Sequence, residues 1–357
     1  MIDLQKTQAF IARGETSQVT RYLQDILAQP EALAQTLAHL DGPGQQAVLA
    51  AANLVQQARR VVFTGMGSAY LSAMPAFMAA ARLHPNVALV ETSALLNESP
   101  FCDQTVYVVL SRSGQSGEIA DFAQLCQGRG GTLIAITMTP NSTLALHADV
   151  VVHVPAPFDG LICVKAHTAL MLAALLLVTS REELDAHRGA LHDAFGLMAS
   201  CMPAWLDHLS DWPRHADPRS VYFIGAGYGA VTAGLGALLI EEGVWLPAAS
   251  HSLNGFAHGP LEVVDEAFAG VIIDLEPNDA TRRHVEKIRK NAPQTLIISD
   301  NARSTYGAPL LGLPLRGLPS AFKPLVAAPS VQLLTFALAA RRGHEAGTMR
   351  HLNWLVT

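Results

Sequence analysis

The sequence is poor in charged residues and has no segment in which basic residues are concentrated. Only 15% of its 357 residues are charged, and the formal net charge is −6. Nucleic acid and an acidic membrane surface are therefore not expected as partners. Hydrophobic residues make up 50% of the chain, so a large buried core is possible and disorder is not expected.

Cysteine is scarce, and neither cysteine nor histidine forms a metal-binding pattern. The 4 cysteines are scattered without a Cys-x-x-Cys pair, and the 14 histidines form no His-x-His or His-Glu-x-x-His motif. The N-terminal residues lack a signal-peptide pattern, and the longest apolar run, residues 169–178, is too short to cross a bilayer. We therefore expect a cytoplasmic protein with reduced thiols, no metal site and no cofactor.

Apolar strands alternate with helices along most of the chain. Helical spacing of apolar residues begins within the first 60 residues, and strands that are apolar on both faces then alternate with helices in two successive series. This alternation predicts α/β architecture with doubly wound parallel sheets. Residues 244–260 are expected to be irregular. The predicted strands cover residues 61–64, 86–90, 106–110, 131–137 and 149–154 in the first series and residues 221–224, 269–274 and 294–299 in the second.

A polar loop rich in serine and glycine follows the strand at residues 106–110. It reads Ser111-Arg-Ser-Gly-Gln-Ser-Gly-Glu118, and apolar residues at helical spacing follow at once. A loop of this kind combines hydroxyl groups, free backbone N–H groups and the positive end of a helix dipole, which together favour an anion. It lacks the Gly-x-x-x-x-Gly-Lys pattern of a nucleotide P-loop. The same residues also fit a plain strand-to-helix turn with a good N-cap.

The second series of strands begins like the first. Residues 221–228, Val-Tyr-Phe-Ile-Gly-Ala-Gly-Tyr, echo residues 61–68, Val-Val-Phe-Thr-Gly-Met-Gly-Ser, which indicates an internal duplication. Neither copy completes Gly-x-Gly-x-x-Gly with an acidic residue about 20 positions later. Dinucleotide binding by a nicotinamide-dependent dehydrogenase is therefore an alternative with weaker support, and the glycines also fit close strand–helix packing.

With both repeats and the serine loop in view, the chain resembles the sugar isomerase (SIS) domain family. It is similar to the tandem-SIS isomerase half of glutamine–fructose-6-phosphate amidotransferase and to stand-alone phosphosugar isomerases, deaminases and fructosamine-6-phosphate deglycases. The resemblance covers about residues 40–357. The segments that carry it are Gly65-Met-Gly-Ser68, Ser111-Arg-Ser-Gly-Gln-Ser116, Lys165 with Thr168, Gly225-Ala-Gly227, and Glu242 with Phe256-Ala-His-Gly-Pro260.

The resemblance implies an α/β fold of two tandem doubly wound, flavodoxin-like SIS domains with N-terminal helices and a C-terminal tail. It implies an N-terminal helical segment (1–40), a first SIS domain with the phosphate loop (41–190), a second SIS domain with the catalytic pair (205–342) and a tail over the active site (343–357). The ligand would be a small sugar phosphate, and the protein would be a homodimer with shared active sites.

The resemblance also implies a role for individual residues of the first domain. Two positions depart from the family pattern, because Ala69 stands where a second hydroxyl usually follows Ser68 and Cys163 stands where a serine usually precedes the lysine. These departures bear on which sugar binds. The implied substrate- and phosphate-binding residues are Ser68, Ser111, Arg112, Ser113, Gln115, Ser116 and Lys165.

In the second domain, the resemblance implies that Glu242 moves the proton between C1 and C2 and that His258, from the other subunit, opens the sugar ring. Carboxylate and imidazole groups are suited to such proton transfers at neutral pH. Without the resemblance, an acidic residue at a helix end is usually a solvated surface residue, and a single histidine is usually a hydrogen-bonding core or surface residue.

Glucosamine-6-phosphate synthesis is not expected. The amidotransferase needs a cysteine directly after its initiator methionine, and Ile2 stands there, so no glutaminase activity is expected. The family's two active-site lysines fall on Leu239 and Trp354, which cannot form an imine with the sugar. Deglycation, deamination or aldose–ketose isomerisation of an amino-sugar or fructosamine 6-phosphate needs only acid/base groups. A non-catalytic phosphosugar sensor is the alternative.

Overall fold

The computed structural model describes residues 20–98, 104–213, 218–300, 306 and 310–351. Within these ranges the chain forms two compact units. The N-terminal unit contains residues 31–159, 163–188 and 350–351, and the C-terminal unit contains residues 20–30, 160–162 and 189–349. Each unit is built on one parallel sheet of five strands.

The N-terminal unit has the strand order β2-β1-β3-β4-β5, in which every neighbouring pair is parallel. This order is that of a doubly wound, flavodoxin-like sheet. Its strands are β1 Arg60–Gly65, β2 Val87–Glu91, β3 Thr105–Ser111, β4 Thr132–Thr137 and β5 Val150–His153. Its helices, after α1 Arg21–Leu27 of the other unit, are α2 Gln29–Leu40, α3 Gln45–Gln57, α4 Ser68–Ala80, α5 Thr92–Glu98, α6 Gly117–Gly128, α7 Thr143–Leu146 and α8 Lys165–Leu176.

The central strand β3 is buried along its whole length, which explains why its sequence is almost entirely apolar. Tyr107 and Val109 of this strand pack with Phe122 of α6 in one buried cluster. The rings of Tyr107 and Phe122 meet edge to face, with centroids 5.3 Å apart. Every residue of α8 is buried, so this helix has no polar face to alternate with an apolar one.

The C-terminal unit has the strand order β7-β6-β8-β9-β10, which is the same topology in the same chain order. Its strands are β6 Val221–Ala226, β7 Ala248–Ser252, β8 Gly270–Asp274, β9 Leu296–Asp300 and β10 Leu310–Leu313. The helices in this half of the chain are α9 Arg181–Ser210, α10 Gly229–Gly243, α11 Leu253–Phe256, α12 Asp279–Asn291 and α13 Lys323–Arg341, with short 3-10 turns at Pro260–Val263 and Ser320–Phe322.

Helix α13 is a long apolar helix of the C-terminal unit. Together with the turn before it, at Ser320–Arg341, it is long and apolar enough by composition to cross a membrane, but 94% of its apolar window is buried inside the protein. A core helix meets the same criteria, and the buried positions of α13 account for its composition without a bilayer.

The prediction of parallel α/β sheets is confirmed, and the two sheets share one strand order. The prediction that residues 244–260 are irregular was wrong in part, because residues 248–252 form β7 beside β6. The last helix, α13, begins at Lys323. Pro329 lies inside the helix, where tight burial compensates for the backbone hydrogen bond that proline cannot make.

Candidate functional site

The candidate site of the N-terminal unit lies where the strand order of its sheet reverses. Strands β1 and β3 are neighbours, with Thr64 opposite Val109, so the turns that follow them leave the same edge of the sheet. The chain leaves β1 toward β2 on one side and leaves β3 toward β4 on the other. In doubly wound sheets, ligands bind in the crevice at such a point, outside the carboxyl ends of the strands.

The loop after β3 is organised by its own side chains. Ser111 Oγ accepts a hydrogen bond from the backbone N–H of Gly114 at 3.0 Å, and Ser113 Oγ accepts one from the N–H of Gln115 at 3.2 Å. Thr143 Oγ1 donates to Gln115 Oε1 at 2.7 Å. Each serine hydroxyl that accepts in this way keeps its own hydrogen as a donor for a ligand.

The N-terminus of α6 follows this loop directly. Ser116 occupies the N-cap position, and its side chain makes no capping hydrogen bond. Within the described part of the chain, the backbone N–H groups of Gly117, Glu118 and Ile119 have no partner. These donors point toward the N-terminal side of the helix, where the helix dipole also favours negative charge. Glu118, in the first turn, offsets part of that dipole.

The loop is also tied to the neighbouring strand. The backbone carbonyl of Arg112 accepts hydrogen bonds from Thr137 Oγ1 at 3.3 Å and from Thr139 Oγ1 at 3.2 Å. These two threonines lie at and just beyond the end of β4, the next strand of the sheet. The serine loop is therefore fixed at both of its flanks, which is the preorganisation that an anion site needs.

Gly114 should not tolerate a side chain. Its φ is +60°, and a Cβ atom there would lie 2.2 Å from Ser142 Oγ. We expect Gly114→Ala to lower the free energy of unfolding by about 2 kcal/mol, because strain and overlap add. The control is Gly128→Ala, where nothing lies within 4 Å of the added atom. Urea denaturation measures both, and equal midpoints for the two variants would contradict the prediction.

Ser68, predicted to contact the substrate, lies in the first turn of α4. Its backbone carbonyl accepts hydrogen bonds from Ser72 Oγ at 2.8 Å and from His167 Nδ1 at 3.0 Å. Because a carbonyl oxygen can only accept, Nδ1 of His167 carries the hydrogen. Gly67, which precedes Ser68, has a φ of +53°, a conformation that glycine adopts readily. It forms the turn between the carboxyl end of β1 and the start of α4.

His167 is not among the site residues predicted from the sequence. The residue is 1% exposed on α8, and burial lowers the pKa of its imidazole to about 4. The ring is therefore neutral at physiological pH, with its hydrogen on Nδ1, which donates to Ser68. Nothing in the sequence near His167 signals this contact, because its partner lies 99 residues away.

His167 should make stability depend on pH between 6.5 and 4. Its folded-state pKa of about 4 lies below the ordinary value of 6.5, so in this window the unfolded chain binds more protons. The stabilisation is complete above pH 6.5 and is lost as the pH falls toward 4, by about 3 kcal/mol. Urea titrations at several pH values should show this slope, and His167→Phe should remove it. The slope should persist in His192→Gln, which alters an exposed histidine.

Lys165, predicted to bind the substrate, is buried at the start of α8. Its ammonium Nζ lies 3.6 Å from Asp159 Oδ1. The Asp159 carboxylate also accepts backbone N–H groups from Val164, Lys165 and Ala166 at 2.9–3.0 Å. Asp159 therefore caps α8 and pairs with Lys165 at once. This burial weighs against direct ligand contact by Lys165, whose predicted role stays a prediction.

The two predicted catalytic residues lie in the C-terminal unit. Glu242 is half-buried in the last turn of α10, and Leu239, one turn earlier, is fully buried. His258 is exposed in the turn after α11, beside Gly259, whose φ is +136°. Its side chain makes no hydrogen bond or ion pair with any residue that the structure describes, so Glu242 and His258 are not bonded to each other.

The segment after α13 is tied to the end of α10. The rings of Trp245 and His344 are stacked, with centroids 4.0 Å apart and an interplanar angle of 6°. His344 Nε2 donates to the backbone carbonyl of Gly243 at 3.2 Å, which neighbours Glu242. Trp245 has a φ of +59°, which is unusual for a bulky residue. Residue 354, predicted to replace a family lysine, lies outside the described residues.

The loop at the reversal point of the second sheet differs in chemistry. It follows β8 and reads Asp274-Leu-Glu-Pro-Asn-Asp279. Lys323 Nζ lies 3.1 Å from Glu276 Oε1 and donates to the carbonyl of Leu275 at 3.2 Å, and Tyr306 donates to Asp274 Oδ2 at 2.7 Å. Glu276 is thus paired with a cation, and Asp274 accepts a hydrogen bond from a phenol. Such a loop offers a phosphate no cluster of hydroxyl groups, whereas the loop after β3 does.

The described residues include no group of three or more His, Cys, Asp or Glu side chains arranged to hold a metal ion. The seven predicted binding residues all belong to the N-terminal unit, and five of them, Ser111, Arg112, Ser113, Gln115 and Ser116, form one loop. Their roles toward a ligand stay predictions.

The architecture and the loop geometry define a class of parallel α/β proteins with a ligand site at the reversal point of a flavodoxin-like sheet. Comparison with protein families then identifies the first unit: residues 54–180 match the model of the SIS domain. The predicted resemblance to the SIS proteins is therefore confirmed for this part of the chain. The match covers the first sheet, so a second SIS domain in the C-terminal unit stays a prediction.

Curated relatives include two enzymes named glutamine–fructose-6-phosphate aminotransferase (isomerizing). The one from Pyrobaculum aerophilum is 26% identical in an alignment of 346 positions that covers 94% of this chain and 57% of that protein. The one from Bradyrhizobium diazoefficiens is 27% identical in an alignment of 363 positions that covers 94% of this chain and 58% of that protein. The chain therefore spans a little more than half the length of the curated relatives it matches.

Solved structures share the fold across most of the chain. The C-terminal domain of glucosamine-fructose-6-phosphate aminotransferase from Francisella tularensis has a TM-score of 0.81 at 19% identity, covering 91% of this chain and 97% of that one. Tagatose-6-phosphate ketose/aldose isomerase from Escherichia coli has a TM-score of 0.78 at 20% identity, covering 92% and 95%. Glucosamine-6-phosphate deaminase from Thermotoga maritima has a TM-score of 0.73 at 16% identity, covering 94% and 99%.

Proposed function

We propose that this chain is a cytoplasmic phosphosugar enzyme that acts on an amino-sugar or fructosamine 6-phosphate by acid/base deglycation, deamination or aldose–ketose isomerisation. The observation that carries the proposal is the N-terminus of α6, where the Ser116 hydroxyl makes no cap and three backbone N–H groups have no partner among the residues that the structure describes. These donors lie beside Ser111 and Ser113 at the reversal point of the sheet. A phosphate group, with about −1.5 to −2 charge at pH 7, matches such a cluster.

In this proposal the first domain, residues 41–190, binds the phosphate end of the substrate, and the second, residues 205–342, supplies the chemistry. The relatives are named for reactions of fructose 6-phosphate, tagatose 6-phosphate and glucosamine 6-phosphate, which supports a sugar 6-phosphate as the ligand. Glu242 would move the proton at the carbon next to the carbonyl or imine. His258 would open the ring by proton transfer at its oxygen.

The exposure of His258 supports a dimeric site. An imidazole without a partner in its own unit is placed to act outside it, and the proposed homodimer would bring it to the active site of a second copy. The proposal treats the segment after residue 342 as a cover over that site, tied down through His344.

The proposed chemistry needs no enzyme lysine. The position where the family synthases carry an active-site lysine is Leu239, which is buried and cannot form an imine. A substrate that already carries its nitrogen at C1 or C2 avoids this requirement, and an aldose–ketose isomerisation proceeds by proton transfer alone. The leucine at position 239 also supports the second candidate, a phosphosugar sensor that binds its ligand without turnover.

A ligand screen separates the two candidates. Sugar 6-phosphates and fructosamine 6-phosphates are tested by thermal shift, and each stabilising ligand is then incubated with the protein and its products analysed. A ligand at 100 times its Kd should stabilise the protein by about 2.7 kcal/mol. Conversion of that ligand supports the enzyme, whereas stabilisation without any product supports the sensor.

The double variant Ser113→Ala with Ser116→Ala tests the binding site in the same screen. We expect the phosphosugar Kd to rise at least tenfold, because two hydroxyl donors to a charged group are lost. The control is Ser200→Ala, whose exposed hydroxyl bonds only to its own helix backbone. An unchanged Kd in the double variant would contradict phosphate binding at this loop.

A further inference from the structure

A second cleft lies at the opposite end of the first sheet, beside the amino ends of β1, β2 and β3. Its volume is about 700 Å³, within the range of small-molecule sites. The residues that line it include Arg59, Arg60, Asn86 and Thr105. The serine loop follows the carboxyl end of β3, so this cleft is separate from the proposed phosphosugar site.

Three polar residues of the cleft form a row across neighbouring strands. Arg60 of β1 pairs with Thr105 of β3, and Val61 pairs with Val87 of β2, which places Arg60 beside Asn86 as well. Strands in a sheet are about 4.8 Å apart, and paired residues point to the same face. Guanidinium, amide and hydroxyl groups therefore lie side by side.

This row continues the buried face of the sheet. Two residues further along their strands lie Val62, Ala88 and Tyr107, which belong to or pack against the cluster under α6. Because side chains alternate along a strand, Arg60, Asn86 and Thr105 point to that same face, just beyond the end of the apolar cluster. The cleft is thus a polar continuation of the core surface.

Thr105 is the unusual member of the row. The residue is 1% exposed, yet its Oγ1 has no hydrogen-bond partner among the residues that the structure describes. Buried hydroxyl groups are nearly always paired, because an unmade hydrogen bond is unfavourable. Because Thr105 also lines the cleft, its unpaired hydroxyl indicates a donor for an acceptor that binds there.

The walls of the cleft are held in place by hydrogen bonds. His84 Nδ1 accepts the backbone N–H of Asn86 at 3.2 Å, so its proton is on Nε2, which donates to the carbonyl of Ala58 at 2.7 Å. Asn86 Nδ2 donates to the carbonyl of Arg59 at 3.2 Å. The amide nitrogen has a second hydrogen, which remains for a ligand.

The charge of the cleft favours an anion. Arg59 and Arg60 are consecutive, and both line the cleft. Two guanidinium groups match the charge of a phosphomonoester, which is close to −2, and arginine binds phosphate oxygens in bidentate fashion. We propose that this cleft is a second anion site, which binds the phosphate group of a small metabolite through Arg59, Arg60, Asn86 and Thr105.

Calorimetric titration with glycerol 3-phosphate tests this site separately from the serine loop. The parent protein for the titration is the Ser113→Ala, Ser116→Ala variant, in which two hydroxyl donors of the serine loop have been removed. We expect one remaining equivalent of binding per chain. Arg59→Ala with Arg60→Gln should weaken it at least tenfold, whereas Arg283→Ala, on the exposed face of α12, should leave it unchanged.

Thr105→Val provides the second variant, because it removes the hydroxyl and keeps the shape. It should weaken glycerol 3-phosphate binding several-fold while leaving the ligand-free melting temperature equal or higher, since no hydrogen bond of the free protein is lost. Arg59→Ala alone, at an exposed position, serves if the double arginine variant does not fold.

The proposal is overturned if the parent shows no binding of glycerol 3-phosphate at 10 mM, or if the arginine variants bind within twofold of the parent. A lower melting temperature for Thr105→Val would show that the hydroxyl stabilises the ligand-free protein and is not reserved for a ligand. If malonate binds more tightly than glycerol 3-phosphate, the site prefers carboxylates, and the proposal of a phosphate ligand is wrong. A negative result for this cleft does not contradict phosphosugar binding at the serine loop, because that binding is measured in the protein with an intact loop.

Discussion

Glu242→Gln should abolish turnover of the phosphosugar substrate while changing its Kd by no more than a few-fold. Glutamine keeps the shape of the side chain and removes the base that the proposed reaction needs. A positioned general base contributes roughly 10²- to 10⁴-fold to the rate, and a loss of that size is expected in kcat. Steady-state kinetics and direct titration of the ligand measure the two quantities separately.

The adjacent residue gives a matched control. Glu241 is exposed and precedes Glu242 in the last turn of α10, so Glu241→Gln removes the same charge from the same helix end. Its kcat should stay within about twofold of the wild type, which is the scale of a surface charge effect. Full activity in Glu242→Gln, or equal losses in both variants, would refute the role of Glu242 as the base.

Asp159→Asn should be the most destabilising single change in the N-terminal unit that we consider. The carboxylate accepts three backbone N–H groups and faces the buried ammonium of Lys165. Asparagine keeps one acceptor oxygen, places an NH₂ group against N–H donors and leaves a buried positive charge. Breaking such a pair from one side costs about 3–5 kcal/mol. Urea unfolding of the purified variant measures the loss.

Two further variants separate the causes of that loss. Asp149→Asn alters an exposed aspartate that accepts one backbone N–H, from Leu133 at 2.7 Å, and should cost about 1 kcal/mol. Adding Lys165→Met to Asp159→Asn removes the buried ammonium group and should restore part of the stability. If the double variant is no more stable than Asp159→Asn alone, the cost comes from the helix cap and not from the ion pair.

Much of the fold is predictable because its strands are buried on both faces. Continuous apolar runs such as residues 106–110 identify central strands without any tertiary information. The missed strand β7 has the sequence Ala-Ala-Ser-His-Ser, is partly exposed at the sheet edge and is held by pairing with β6. Its sequence carries no apolar alternation, so only the neighbouring strand determines its conformation.

The candidate site divides in the same way between local and distant interactions. The serine loop is contiguous, and its glycines, hydroxyl groups and following helix can be recognised together. His167 bonds to Ser68 across 99 residues, and Asp159 was not recognised as a cap because the helix it caps starts six residues later. The contact between His167 and Ser68 depends on the packing of α4 against α8, which composition and spacing do not encode.

The stack of Trp245 and His344 gives the protein an optical reporter close to its proposed base. Indole emission responds to an aromatic ring in contact with it, and this contact joins the segment after α13 to the residues that follow Glu242. Any departure of that segment separates the two rings at 4.0 Å and brightens or shifts the emission of Trp245. Motion near the proposed catalytic carboxylate is thereby visible as a fluorescence change, without a label.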